Sequence, residues 1–322
     1  AESYPFDFVG TDPNIPREEG GNRVQICEDR IADFVNASSD QPYCLIVASH
    51  NPHLPYSSGQ QEAYDPETLT LPPYLIDTPE TRRRLAKYYA EITALDVELG
   101  MCMDFVEASA QAEDTLLMFS SEQGSAFPFG GKWSCYENGL HTGLIARWPG
   151  RIEPGSTSNA MVQYVDIVPT LLQAAKHDPS LADTGRPGDP DGGTGFDGRS
   201  FYNILMGDGD HHRDHVYGVY TNRGVRDGTD YPIRSVRSDR YKYIANLNHE
   251  ETFRCNVTRF MSEMGWAEAA KGHPELERRV DWMAHRPAEE FYDLNRDPFE
   301  LNNLAGDPAY AEISQGLQAE LE

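Results

Sequence analysis

The spacing of apolar residues changes several times along the chain, and each change predicts a different element. Up to about Gln41 the sequence is rich in Pro, Gly, Asp and Glu, and only residues 24–35 show helical spacing, through Val24, Ile31 and Phe34. Tyr43-Cys44-Leu45-Ile46-Val47-Ala48 is a short, nearly continuous apolar run, the pattern of a strand buried on both faces. From 79 to 110 the step becomes three and four, through Leu85, Tyr88, Tyr89, Ile92, Leu95, Leu99 and Met103. That spacing predicts a long amphipathic helix, with Thr78 as its cap and Pro79 in its first turn. Residues 115–120 and 142–148 predict two further strands of the buried type, and 165–175 a second helix. Strand, helix, strand in this order is the signature of a right-handed crossover in a parallel sheet.

Beyond 177 the character changes. Residues 177–195 are rich in Asp, Gly and Pro and predict a surface excursion. Short β-type runs at 216–220, 233–236 and 241–244, split by turns such as Arg226-Asp227-Gly228, predict an antiparallel sheet, and 308–322 predicts a terminal helix. The expected organisation is an α/β domain over 1–210 and a smaller subdomain over 211–322.

Charge narrows the function. The 322 residues hold 52 acids against 27 bases, a net charge of -25, which excludes an extended surface for nucleic acid because binding a polyanion needs clustered Lys and Arg. Attraction of an anionic substrate must then be local. No run approaches the roughly 18 consecutive apolar residues of a membrane span, so none is expected. Cys27, Cys44, Cys102, Cys135 and Cys255 show no CxxC pair and no zinc spacing, and five thiols cannot all pair within one chain, so most are expected to be reduced or buried.

The residues that carry chemistry follow the first two apolar runs. After the first, His50 and His53 flank Asn51-Pro52, two imidazoles suited to giving a proton or meeting an anionic oxygen near neutral pH. After the second, Glu122-Gln123 offers two hard oxygen ligands of the kind Ca²⁺ or Mg²⁺ takes, too few to complete a shell of six to eight. Lys132 follows between glycine and Trp133, a point charge suited to an anion, and His141 precedes the third run. Taken singly, each is also what a solvated loop would show.

In order, however, the pieces form a set: Pro52-His53-Leu54-Pro55, Ser121-Glu122-Gln123-Gly124, Gly131-Lys132-Trp133-Ser134-Cys135-Tyr136-Glu137, Trp148-Pro149-Gly150, Asp166-Ile167-Val168-Pro169-Thr170, Tyr241-Lys242-Tyr243 and Glu290-Phe291-Tyr292-Asp293-Leu294. This set resembles the formylglycine-dependent sulfatases of the alkaline-phosphatase-like superfamily, over nearly the whole chain.

The resemblance implies an α/β alkaline-phosphatase-like sandwich, with a mainly parallel central sheet flanked by helices and a small C-terminal antiparallel-sheet subdomain. It implies hydrolysis of sulfate esters of a sulfated carbohydrate, with His53 protonating the leaving oxygen and Lys132 bridging sulfate and leaving group. Glu122 and Gln123 take the place of two ligands of one Ca²⁺, with Mg²⁺ the less favoured ion, and His50, His141 and Trp133 are assigned to substrate. Phe127 and Phe129 are further aromatics, open to two readings, as faces that stack on sugar or as core. Export to a periplasm or outside the cell is also implied. Two departures stand out: Glu-Gln replaces the family's shorter Asp-Asn or Asp-His pair, and the Cys-or-Ser-x-Pro-x-Arg string whose first residue becomes formylglycine is missing. The expectation is that the nucleophile and further metal ligands precede Ala1 and that the chain alone does not turn over. Rival readings are a phosphonate or phosphodiester hydrolase of the same superfamily and an inactive homologue that binds sulfated glycans.

Overall fold

A computed structural model describes residues 28–38, 40–129, 131–185, 195–221, 228 and 230–322. Cys27, the start of the helix expected from 24, the turn residues Arg226 and Asp227, and 186–194 of the surface excursion lie outside the described residues. The described residues divide into two compact units, the first taking those up to Leu71 together with Asp77–Leu117, the second Pro72–Ile76 and those from Met118 onward.

The first unit is built on two helices, α1 (Glu28–Ala37) and α2 (Pro79–Glu107). The start of α2 is the one its sequence dictates: the Thr78 hydroxyl accepts from the Thr81 amide at 3.0 Å and Pro79 occupies the first turn. Only the N-terminal half of its stripe is covered, with Thr81, Leu85, Ala86, Ala90 and Glu91 buried, while Ile92 and Val97 are exposed. The run at 43–48 departs from expectation. It forms no strand among the described residues, and Ile46 is 71% exposed. A strand exists through a neighbour that takes up its N–H and C=O groups, and no described segment pairs with this one.

What α2 does instead is hold the loop that follows this run. Glu98 accepts from the Ser49 hydroxyl at 2.5 Å and the Asn51 amide at 3.0 Å. Two turns earlier on the same face, the buried Glu91 accepts from the backbone N–H groups of Ser57 and Ser58, both at 2.6 Å. Gly59, at φ +74°, lies so close to α2 that a Cβ there would meet the Ala90 carbonyl oxygen at 2.1 Å.

In the second unit, β1 (Leu117–Ser120) pairs with β2 (Leu144–Arg147), and the one-turn helix α3 (Glu137–Leu140) lies between them in sequence. Next come α4 (Ile167–Ala174), entered through a 3₁₀ turn at Tyr164–Asp166, and α5 (Tyr202–Leu205). The C-terminal part is a four-stranded sheet in the order β3 (Val216–Tyr220), β4 (Ile233–Arg237), β5 (Tyr241–Asn246), β6 (Glu289–Asp293), antiparallel throughout. Helices α6 (Asn256–Glu263), α7 (Trp266–Ala270) and α8 (Pro274–Ala284) come between β5 and β6 in sequence, and α9 (Ala311–Leu321) closes the chain. The antiparallel sheet and terminal helix match the sequence pattern; α6, α7, α8 and β6 are additions to it.

The register of this sheet sorts its side chains. Val236, Tyr243 and Phe291 form one cross-strand row, covered by Leu317 of α9. The alternate positions point the other way and include a polar row: Arg237 pairs with Lys242, and Lys242 with Tyr292. Lys242 is fully buried on that face, its Nζ 3.0 Å from Glu137 Oε1 and 3.1 Å from Glu300 Oε1. Arg237 Nε donates to the other Glu137 oxygen at 3.0 Å, and the Glu137 N–H donates to Glu300 Oε2 at 2.5 Å. One row further along, Glu290 accepts from Tyr136, Tyr292 and Asn246 at 2.9, 2.5 and 2.7 Å. Sheet and α3 are therefore joined by buried polar bonds, beside which Leu140 of α3 lies against Gly218 of β3.

Two predictions follow from these clamps. Removing the Glu91 carboxylate leaves two amides without their acceptor, at a cost of about 2 kcal/mol. Glu91→Ala should then speed amide hydrogen exchange at Ser57 and Ser58 by at least roughly tenfold, and unchanged exchange there would refute the clamp. The second prediction concerns Glu300. Burial raises its carboxyl from 4.5 to about 7, although Lys242 pulls it down. The folded state thus keeps a proton that the unfolded chain releases. The stabilisation is complete below about pH 4.5, declines as pH rises and is gone above about 7. Measured between pH 5 and 7, the stability of the parent should fall relative to Glu300→Gln by at most about 1.4 kcal/mol per pH unit; parallel curves would contradict the assignment.

Candidate active site

The expected site residues lie on both units: His50 and His53 on the first; Glu122, Gln123, Lys132, Trp133 and His141 on the second. In the first, the loop held at Ser49, Asn51, Ser57 and Ser58 presents two exposed imidazoles. The His53 ring has a defined orientation, because its Nδ1 lies 2.7 Å from the Leu54 carbonyl oxygen. A carbonyl only accepts, so Nδ1 carries the hydrogen and Nε2 is the nitrogen left to exchange a proton. His50 is exposed, and its ring makes no hydrogen bond among the described residues.

In the second unit the backbone around Lys132 is held in a costly conformation. Phe129, Gly131 and Trp133 all have positive φ, at 56°, 108° and 63°, the two aromatics in a region that side chains other than glycine seldom adopt. Gly131 packs directly on α3: a Cβ there would lie 2.0 Å from the Cα of Gly139. The loop closes through the Lys132 N–H, which donates to Ser125 O at 3.0 Å, and through Ser134, whose N–H and hydroxyl both donate to Gly131 O at 3.0 and 2.8 Å. Asn138 of α3 donates to Phe129 O at 2.8 Å.

Lys132 is half-buried in this frame, its Nζ 5.1 Å from the centroid of the Trp133 ring. Loss of water lowers its pKa from the ordinary lysine value, partly offset by the Glu122 carboxylate. That coupling puts the Glu122 carboxylate within electrostatic range of Lys132. Phe127 and Phe129 are 2% and 4% exposed; they are core residues that anchor the loop and do not offer their faces to a sugar. Trp133, half-buried, is the aromatic with surface to present.

Glu122 is exposed at the end of β1, and its Oε2 accepts from Gln123 Nε2 at 2.9 Å. That bond leaves the Gln123 amide oxygen and the second Glu122 oxygen facing elsewhere, two hard ligands in a chemistry that suits Ca²⁺. Among the described residues no cluster of three or more His, Cys, Asp or Glu side chains is arranged around a common metal position, and this pair by itself could offer two ligands. His141, at the end of α3, is largely exposed, with Nδ1 3.6 Å from Glu137 Oε2.

The residues that sequence reasoning left unassigned are the ones that build the frame. Glu137 is buried between Lys242, Arg237 and His141; burial pushes its carboxyl up and the two cations more than reverse this, so it stays ionised below the usual range. Asp166, wholly buried, accepts from the N–H groups of Gln163 and Arg199, both at 2.9 Å, from Arg213 through both oxygens, and faces His212 Nε2 at 3.2 Å. Burial again opposes ionisation and Arg213 outweighs it. The motif around Asp166 is thus a structural knot that ties the entry of α4 to the segment before β3.

Comparison with known proteins follows the same lines. The sulfatase family model matches residues 7–177, just over half of the chain, and the model of the N-sulphoglucosamine sulphohydrolase C-terminal region matches 127–257. An ulvan-active sulfatase of Formosa agariphila is 30% identical over 94% of this chain and 55% of its own length. The human N-sulphoglucosamine sulphohydrolase is 25% identical over 99% of this chain and 67% of its own length. The chain thus spans between 43% and 67% of the length of these curated relatives and of a second ulvan-active sulfatase of the same organism. The yidJ protein of Bacteroides fragilis superimposes with a TM-score of 0.64 at 18% identity, over 91% of this chain and 56% of that one. The phosphonate monoester hydrolase of Agrobacterium radiobacter gives 0.60 at 18% identity, over 93% and 61%. These two likenesses speak for the fold, which is the alkaline-phosphatase-like α/β fold with its C-terminal subdomain. The family model, which matches more than half of the chain, shows that the chain belongs to the sulfatase family.

Proposed function

We propose that the protein of which this chain forms a part hydrolyses sulfate esters of a sulfated carbohydrate. The observation that carries this reading is Lys132: a half-buried ammonium, partly stripped of water, fixed between left-handed residues and neighbour to a carboxylate-amide pair suited to calcium. The names of the relatives support the substrate class, since one is active on ulvan and another is a sulphohydrolase of N-sulphoglucosamine.

In this mechanism Lys132 binds the sulfate oxygens, where negative charge grows as the ester bond breaks, and its fixed backbone spares the site reorganisation at that moment. His53, as the imidazolium, gives its Nε2 proton to the departing sugar oxygen, a poor leaving group unless protonated, and returns to the neutral ring with Nδ1–H held by the Leu54 carbonyl. Trp133 offers a face for the sugar ring, and His50 and His141 remain as exposed donors toward its hydroxyls. Glu122 and Gln123 would hold one Ca²⁺, which when bound neutralises charge on the sulfate oxygens. The 322 residues contain no Cys-or-Ser-x-Pro-x-Arg string, and we assign the formylglycine nucleophile to a segment preceding this chain, with export to the periplasm or beyond part of the same reading.

Two measurements on the full protein check these roles. Lys132→Ala and His53→Ala should each lower kcat for sulfate release from a sulfated oligosaccharide by roughly a hundredfold or more; release at the parent rate in both variants would sink the proposal. Chelation should abolish sulfate release and added Ca²⁺ restore it, and Glu122→Ala should need at least roughly tenfold more Ca²⁺ for half of full activity. An unchanged calcium requirement would remove Glu122 from the metal shell.

A further inference from the structure

The acidity of the chain makes any local excess of positive charge conspicuous, and α2 carries one. Arg82, Arg83, Arg84 and Lys87 fall within six residues of a chain in which acids outnumber bases 52 to 27. The four do different things. Arg82 is committed to structure: its guanidinium binds Asp77 at 2.6 and 2.7 Å and reaches the Pro66 and Leu69 carbonyls at 3.0 and 3.1 Å. Arg83, exposed, pairs with Glu80 at 2.8 Å. Lys87 is exposed and has no ion pair among the described residues. It lies one turn from the half-buried Arg84, so both face the same side of the helix.

On that side is a cleft of about 250 Å³. One wall is the helix surface with Glu80, Arg83, Arg84 and Lys87; the other is Leu54, Pro55 and Tyr56, the residues directly after His53. Tyr56 is buried and its ring packs on Tyr88 with centroids 5.4 Å apart, which gives the cleft a firm apolar floor. Three cations against one carboxylate leave an excess of two positive charges over an apolar wall. An aliphatic-aromatic surface suits the C–H face of a sugar, and guanidinium and ammonium groups suit a sulfate or carboxylate on it.

We propose that the cleft between α2 and residues 54–56 is a second anion subsite, which takes a sulfate or uronic carboxylate on the substrate at a position other than the ester being cleaved. The inference rests on the sulfated-carbohydrate reading above, and it adds that the substrate carries at least two anionic groups. Lys87 is the chief specificity-determining residue, Arg84 adds its charge on the same side of the helix, and Arg83 contributes less because it pairs with Glu80.

The test is calorimetric binding of a heparin hexasaccharide to the full protein and its variants at two salt concentrations. Lys87 and Arg83 are exposed, so their replacement leaves the helix core intact, and far-UV circular dichroism checks this. Lys87→Glu should weaken binding by roughly tenfold and flatten the salt dependence, Arg84→Gln should weaken it severalfold, and Arg83→Gln should have the smallest effect. Equal affinity and salt dependence in Lys87→Glu and Arg84→Gln, with binding weakened by Lys132→Ala, would overturn the subsite and leave the proposed function standing. Loss in the cleft variants without loss in Lys132→Ala would keep the subsite and discredit the anion role of Lys132. No binding by the parent protein would dismiss the subsite.

Discussion

The Lys132 loop depends on a buried ion pair far along the sequence, between Lys242 in the middle of β5 and Glu137 at the start of α3. A lysine inside a sheet loses its hydration, and only partners of opposite charge at hydrogen-bond distance make this tolerable. Glu137 is that partner, with Glu300 3.1 Å from the same ammonium, and burial of the whole cluster means that α3 cannot leave the sheet without exposing uncompensated charge. The strained run of Phe129, Gly131 and Trp133 packs on α3 through the contact of Gly131 with Gly139. Strain of this kind persists only where surrounding structure over-determines it, and the ion cluster is what does so here. The C-terminal subdomain is thereby the foundation of the loop that carries the candidate anion-binding lysine.

A similar economy operates in the first unit. Two glutamates seven residues apart on α2 hold opposite ends of the loop bearing His50 and His53. The same helix presents Arg84 and Lys87 on the cleft beside that loop. One amphipathic helix thus fixes the loop of the two histidines with its acids and lines the neighbouring cleft with its bases. In a chain of net charge -25, attraction of an anionic sugar depends on such local arrangements.

Much of the architecture was legible in the sequence because it follows from local rules. The Thr78 cap, the three-four periodicity of α2 and the alternation in β3, β4 and β5 all appear where the pattern puts them. The run at 43–48 was misjudged because an apolar run reports burial potential, whereas a strand needs a partner that the described residues do not supply. Phe127 and Phe129 were open to two readings because composition cannot tell a stacking face from a core. The buried charges were the hardest to see. Tyr241-Lys242-Tyr243 reads as a half-exposed strand, and nothing local reveals that Lys242 faces Glu137 a hundred residues away. The seven-residue step between Glu91 and Glu98 was visible, but its meaning depends on where the loop folds back.

The central claim is that Lys132, held by this frame, is where the sulfate group binds. A crystal structure of the full protein with a sulfated oligosaccharide bound would test it most directly. The account predicts a sulfate oxygen within hydrogen-bond reach of Lys132 Nζ, on the side of the loop that faces Glu122. A sulfate bound elsewhere, with the Lys132 side chain turned to solvent, would contradict it.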